Sequence, residues 1–79
     1  MINMVSNALE LTNQVIRMIN RRRSRKTINK IQKQIEQIRE MEALPYEDRV
    51  DSELDFYYAN LVDLMRRLNQ ELETAKHAK

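Results

Sequence analysis

Apolar positions recur at helical spacing along nearly the whole chain. Ile2, Val5, Leu9, Ile16 and Ile19 step by threes and fours, with Thr12 filling the gap. This spacing predicts an amphipathic helix over 2–19, its face widened by Met4, Ala8, Val15 and Met18. A polar run from Asn20 to Thr27 follows. Ile28, Ile31, Ile35 and Ile38 then repeat at 3, 4, 3 and predict a second helix over 28–44. Leu54, Tyr58, Leu61, Met65, Leu68, Leu72 and Ala75 alternate 4 and 3 without exception, which predicts a third helix over 52–76 with a coiled-coil-like seam. Tyr57, Val62 and Leu64 broaden that seam toward a second neighbour.

The boundaries are uneven in strength. Pro45 disfavours helical geometry at Leu44, so the second helix should end there and 45–51 should be a loop. Ser52 is the expected N-cap of the last helix, with Asp55 three residues on, and Asp51, Glu53 and Asp55 suit the positive end of its dipole. The first boundary is open. The first two stripes would lie about a third of a turn apart on one straight helix, so one packing face cannot serve both. Either the chain breaks within 20–27, with Ser24 or Thr27 as a new cap, or a continuous helix uses two faces. No Gly or Pro forces a stop.

Composition narrows the fold to all-α. Glycine is absent and proline occurs once, which leaves hairpin turns without their usual positive-φ residue. A seven-residue loop between the second and third helices is short enough for an antiparallel pair. The expected architecture is a single domain over 1–79, a helical hairpin or three-helix bundle with coiled-coil-like packing. The third helix, about 37 Å, outruns the second, about 25 Å, and its surplus must pack on residues 2–19 or on another copy. At 79 residues with no cysteine, neither disulfides nor thiolate metal sites add stability, and association is the remaining route. An oligomer is therefore expected, and no cofactor.

Charge adds a polarity to this picture. Residues 1–35 hold eight Lys/Arg against Glu10 alone, a net of +7, while 36–79 hold eleven acids and six bases, a net of −5. The candidate polyanion-binding residues are Arg17, Arg21, Arg22, Arg23, Arg25, Lys26, Lys30 and Lys33. Six of these fall within the ten residues 17–26, and on a helix Arg22, Lys26, Lys30 and Lys33 would share one stripe. Each phosphate neutralised by such a track releases counterions. The competing reading is a solvated face, or one matched to acids of a protein partner, and the two weigh equally. No zinc finger, RNP pattern or clear helix-turn-helix is present, so nucleic-acid binding would rest on phosphates. Arg21-Arg22-Arg23-Ser24 also has the form of a basic-directed kinase site, or with its neighbours a nuclear address.

Phe56, Tyr57 and Tyr58 form the main aromatic patch, with Tyr46 upstream. Three adjacent aromatics on a helix cannot all face one core, so they are candidate partner contacts, Tyr57 and Phe56 foremost. The acids from Glu36 to Asp55 read as a solvated surface or as the complement of the basic half. No Ser/His pair, glycine loop or metal-ligand spacing supports catalysis. No apolar run reaches the 18–20 residues of a membrane span. Residues 2–19 with the basic run after them could rest on an anionic surface, but their apolar face lacks Trp and Phe, so membrane binding is not expected. The expected location is intracellular, cytoplasmic or nucleoid/nuclear.

Asp51-Ser-Glu-Leu-Asp-Phe-Tyr-Tyr-Ala59 resembles the start of the last long helix in the Hha family of enterobacterial nucleoid modulators. The likeness covers under ten residues and needs a one-residue shift at the aromatics. The family's following Asp-His-Arg is replaced by Asn60-Leu61-Val62. It would imply a small helical partner of a DNA-coating protein. From the residues themselves, the expected function is a non-enzymatic regulatory or architectural protein that self-associates and contacts a polyanion. The alternative is a protein–protein module, such as an assembly chaperone, inhibitor or scaffold.

Overall fold

The computed structural model describes residues 4–18 and 22–77, except for the side chain of Arg23. Three α-helices pack on one another: α1 (Met4–Met18), α2 (Arg22–Ala43) and α3 (Asp51–His77), with a single 3-10 turn at Tyr46–Asp48 between the last two. The fold is all-α, with no strand among the described residues. α2 and α3 form the hairpin that the short loop required. α1 lies mainly against α3 and touches α2 less. The body measures 52 × 25 × 18 Å.

The isoleucine stripe of α2 is buried as its spacing demanded: Ile28, Ile31, Ile35 and Ile38 are all in the core. From α3 come Leu61, Leu64, Leu68 and Leu72, while Leu54, Tyr58, Met65 and Ala75 of the same seam are half-buried. Leu64 is thus more central than the heptad pattern made it. α3 turns that flank toward α2, and α1 occupies the other.

α1 departs from the expected face. Ala8, Thr12 and Val15 are its buried residues, whereas Leu9 and Ile16 are 36% and 55% exposed. The small side chains of Ala8 and Val15 let α1 settle between α2 and α3, and the larger residues are displaced to its flank. Ile2 and Ile19, also assigned to this stripe, lie outside the described residues. Thr12 Oγ1 is buried without a hydrogen-bond partner. Such a group forfeits its hydration for nothing, so Thr12→Val is expected to raise stability by about 1 kcal/mol. A urea midpoint at or below that of the parent protein would contradict this.

Most of the basic run is helical: α2 covers Arg22–Ala43 and so includes residues 22–27, while α1 covers Met4–Met18 and residues 19–21 lie outside the described residues. Ser24 and Thr27 are not caps but buried members of α2, 2% and 8% exposed. Each lies about one or two turns before Ile31 on the same face, so extending the helix continues the apolar stripe instead of breaking it. The cap of α3 also moves. The Val50 carbonyl accepts from Leu54 N–H at 3.0 Å and from Glu53 N–H at 3.1 Å, so Val50 precedes the helix and Ser52 lies in its first turn.

Polar contacts set the register of the hairpin. Thr27 Oγ1 donates to Glu71 Oε1 at 3.1 Å near one end. Asn60 Nδ2 donates to Gln34 Oε1 near the middle, and Gln34, only 5% exposed, donates in turn to Gln37. Sliding either helix would strand Gln34 in an apolar layer, a penalty that disfavours other registers. At the loop, Arg49 donates from Nη2 to the Glu42 carbonyl at 2.8 Å and from Nε to the Leu44 carbonyl at 3.1 Å. It satisfies carbonyls that the end of α2 leaves without helical partners. With no glycine in the chain to end that helix in the left-handed conformation, a guanidinium reaching back performs the capping.

Candidate polyanion interface and the hairpin tip

Because α2 is continuous through the basic run, its cations acquire fixed relative positions. Arg22, Lys26, Lys30 and Lys33 are separated by four, four and three residues, and all are exposed. At 100° and 1.5 Å per residue they span an arc of about 80° and a length of about 16 Å. Arg25 is exposed beside them, and Arg17 is exposed in the last turn of α1. Arg23 belongs to α2, but its side chain, like the whole of Arg21, lies outside the described residues.

This arrangement works against helix stability. The first turn of α2 holds no acid and its last turn no base. Cations stand at the positive end of the helix dipole, where each loses about 0.3–1 kcal/mol instead of gaining it. Arg22 with Lys26, and Lys26 with Lys30, are like-charge pairs at i,i+4, each unfavourable by about 0.2–0.5 kcal/mol. Among the described residues, none of Arg22, Lys26, Lys30 or Lys33 forms an ion pair. An anion laid along the stripe would offset these unfavourable terms with its own attraction to each cation.

Ser24 does not offer a kinase site on this surface. Its side chain is 2% exposed within a helix, whereas the sequence alone had left it open to phosphorylation.

The opposite end of the hairpin is acidic and partly apolar. Glu36, Glu40, Glu42, Glu47, Asp48, Asp51, Glu53 and Asp55 are all exposed. Among them stand Leu44, Tyr46, Val50 and Phe56, exposed by 40%, 79%, 43% and 67%. The Arg49 guanidinium lies 6.0 Å from the centre of the Tyr46 ring, within cation–π range.

The three adjacent aromatics divide. Phe56 points outward. Tyr57 is half-buried against the core and meets Phe56 edge to face at 6.4 Å. Tyr58, also half-buried, donates from its hydroxyl to Glu42 Oε2 at 3.0 Å. Of the residues singled out as partner contacts, Phe56 is the most exposed and Tyr57 is half-buried, and Leu44 and Val50 join the exposed patch. The sequence signal for those two was weak: Leu44 only loosely continues the isoleucine stripe of α2, and Val50 falls in the loop before α3.

Burial, then the hydrogen bond to Glu42 and the charge of Glu42, raises the Tyr58 phenol above its ordinary 10.0. A phenol whose proton is held more tightly in the folded state stabilises fully below pH 10, and that contribution is lost as pH rises through the folded value. Tyr58→Phe should flatten the fall of stability above pH 10 relative to the parent protein, measured by thermal melts from pH 8 to 11. Identical slopes in the two proteins would rule out this linkage.

Open grooves flank α1. One of about 500 Å³ against α2 is lined by Leu9, Ile35 and Arg39, and one of about 330 Å³ against α3 by Leu11, Val62 and Met65. No group of three or more His, Asp or Glu residues that could hold a metal ion occurs among the described residues. No helix there is long and apolar enough to cross a membrane.

No family model, curated protein or solved structure matches the chain.

Proposed function

We propose that this is a small non-enzymatic regulatory or architectural protein that self-associates through its helices and holds a nucleic acid, or a comparable polyanion, along the first half of α2. The observation that carries this reading is the exposed stripe of Arg22, Lys26, Lys30 and Lys33, with no acid in the first turn of α2. About 16 Å of cations with a uniform rise suits successive phosphates of a backbone, not a single anion. The stripe belongs to no recognised base-reading motif, so binding would be governed by charge and tolerant of sequence. A cytoplasmic, nucleoid or nuclear setting would follow from such a ligand. The test is a mobility-shift titration of labelled duplex and single-stranded oligonucleotides at low salt. Absence of any shift at tens of micromolar protein would reject the polyanion half of the proposal.

A second reading, a protein–protein module such as an assembly chaperone, inhibitor or scaffold, is favoured by the exposed tip at Tyr46 and Phe56. It predicts that tip substitutions abolish partner capture, while charge reversal on α2 reveals no nucleic-acid binding to lose.

A further inference from the structure

The two ends of the body are opposite in charge and alike in carrying exposed apolar groups. Residues 17–33 hold eight cations and no acid, and residues 36–55 hold eight acids against Arg39 and Arg49. The part of α3 alongside the basic end, residues 61–77, carries three acids and three bases, so it leaves the imbalance standing. α2 runs from one end to the other, so the charges are separated along its length of about 33 Å. At the basic end, Ile16 and Met18 are 55% and 60% exposed. At the acidic end, Leu44, Tyr46, Val50 and Phe56 are exposed. Each end therefore carries exposed apolar groups among charges, and the charge of one end is the complement of the other.

We infer that the occupant of both ends is a second copy of this chain, packed antiparallel so that each acidic tip lies against the other copy's basic end. The size of the available surfaces selects this arrangement over end-on stacking. An end face of 25 × 18 Å offers roughly 450 Å² per copy, short of the approximately 800 Å² per partner of a stable interface. A long side of 52 × 25 Å offers roughly 1,300 Å², and antiparallel packing satisfies both pairs of ends in one closed twofold contact. End-on contact would leave one end of each kind open and grow without limit. This inference deepens the self-association part of the function proposed above; a second copy and a polyanion would compete for Arg22, Lys26, Lys30 and Lys33, so its test is made without nucleic acid.

Sedimentation equilibrium in the absence of nucleic acid tests it. The parent protein at micromolar concentration and low salt should show twice the 9.5 kDa chain mass, and dissociation should weaken it at least tenfold by 0.5 M salt. Reversing Arg22, Lys26, Lys30 and Lys33 to Glu, or Glu47, Asp48, Asp51 and Asp55 to Lys, should each give monomer. Mixing the two variants should restore a one-to-one dimer, because both pairs of ends are again complementary. Should a reversed chain not fold, Met18→Cys and Phe56→Cys keep the idea testable. The parent has no cysteine and both positions are exposed, so the mixture should oxidise to a covalent heterodimer faster than either variant dimerises alone. A monomer at 100 micromolar overturns both this inference and the self-association reading. Masses that climb past the dimer with concentration, a dimer indifferent to salt and to both reversals, or no preference for the mixed disulfide would overturn this inference alone.

Discussion

Leu68→Ala is expected to remove a large part of the stability of the fold. Leu68 is fully buried in α3 and belongs to the core cluster built from all three helices. Truncating a buried leucine costs about 3–5 kcal/mol, the upper part of that range applying where neighbours cannot close the cavity. Here the neighbours are helices held in register by Thr27 with Glu71 and Gln34 with Asn60, which limits collapse. A chain of this size has roughly 4–12 kcal/mol of stability in all. The variant should therefore lose at least about a quarter of its urea midpoint, and its melting temperature should fall by about 15 °C or more. Gln70→Ala, at an exposed site on α3, is the control and should stay within about 0.5 kcal/mol of the parent. Equal losses in the two variants would mean that the core is not centred on the α2–α3 seam.

The second large effect concerns salt. If the four-cation stripe of α2 neutralises four phosphates of a duplex, log K should fall with log salt at a slope of about −3.6. Affinity should then drop roughly 100-fold between 50 and 200 mM. Reversing all four residues to Glu should eliminate measurable binding and leave the helical circular-dichroism signal in place, since all four side chains are exposed. A single Lys30→Gln should lessen the slope by about one unit at every sequence tested. A slope near zero in the parent protein would show that phosphate contacts do not carry the binding. Relief of the like-charge pairs within α2 should also appear as a higher melting temperature with polyanion bound.

Much of the fold was legible in the residues. The Ile28–Ile38 and Leu61–Leu72 spacings required one buried face on each helix, and burial follows them closely because a period near 3.6 leaves no other way to hide those side chains. Pro45 marked the end of α2 within a residue, since its ring constrains the residue before it. The candidate stripe was legible conditionally: Arg22, Lys26, Lys30 and Lys33 line up only if the run is helical, and nothing local decides that. Arg and Lys favour a helix while their mutual repulsion and the dipole oppose it, so the balance is set by the burial of Ser24, Thr27 and Ile28 against the other helices.

By itself, then, the sequence determined that the chain is all-helical, where its hairpin turns, and that its charge is divided between two halves. These are consequences of periodicity, of a missing glycine and of one proline, and they act within a few residues along the chain. Only the tertiary structure decided which side of α1 faces inward. Ala8 and Val15 displaced Leu9 and Ile16 because close approach to two neighbouring helices outweighs the hydrophobicity of any single side chain. The pairing of Asn60 with Gln34, the capping of α2 by Arg49, and the separation of Phe56 from Tyr57 and Tyr58 were likewise settled by contacts between segments distant in sequence, which local spacing does not encode.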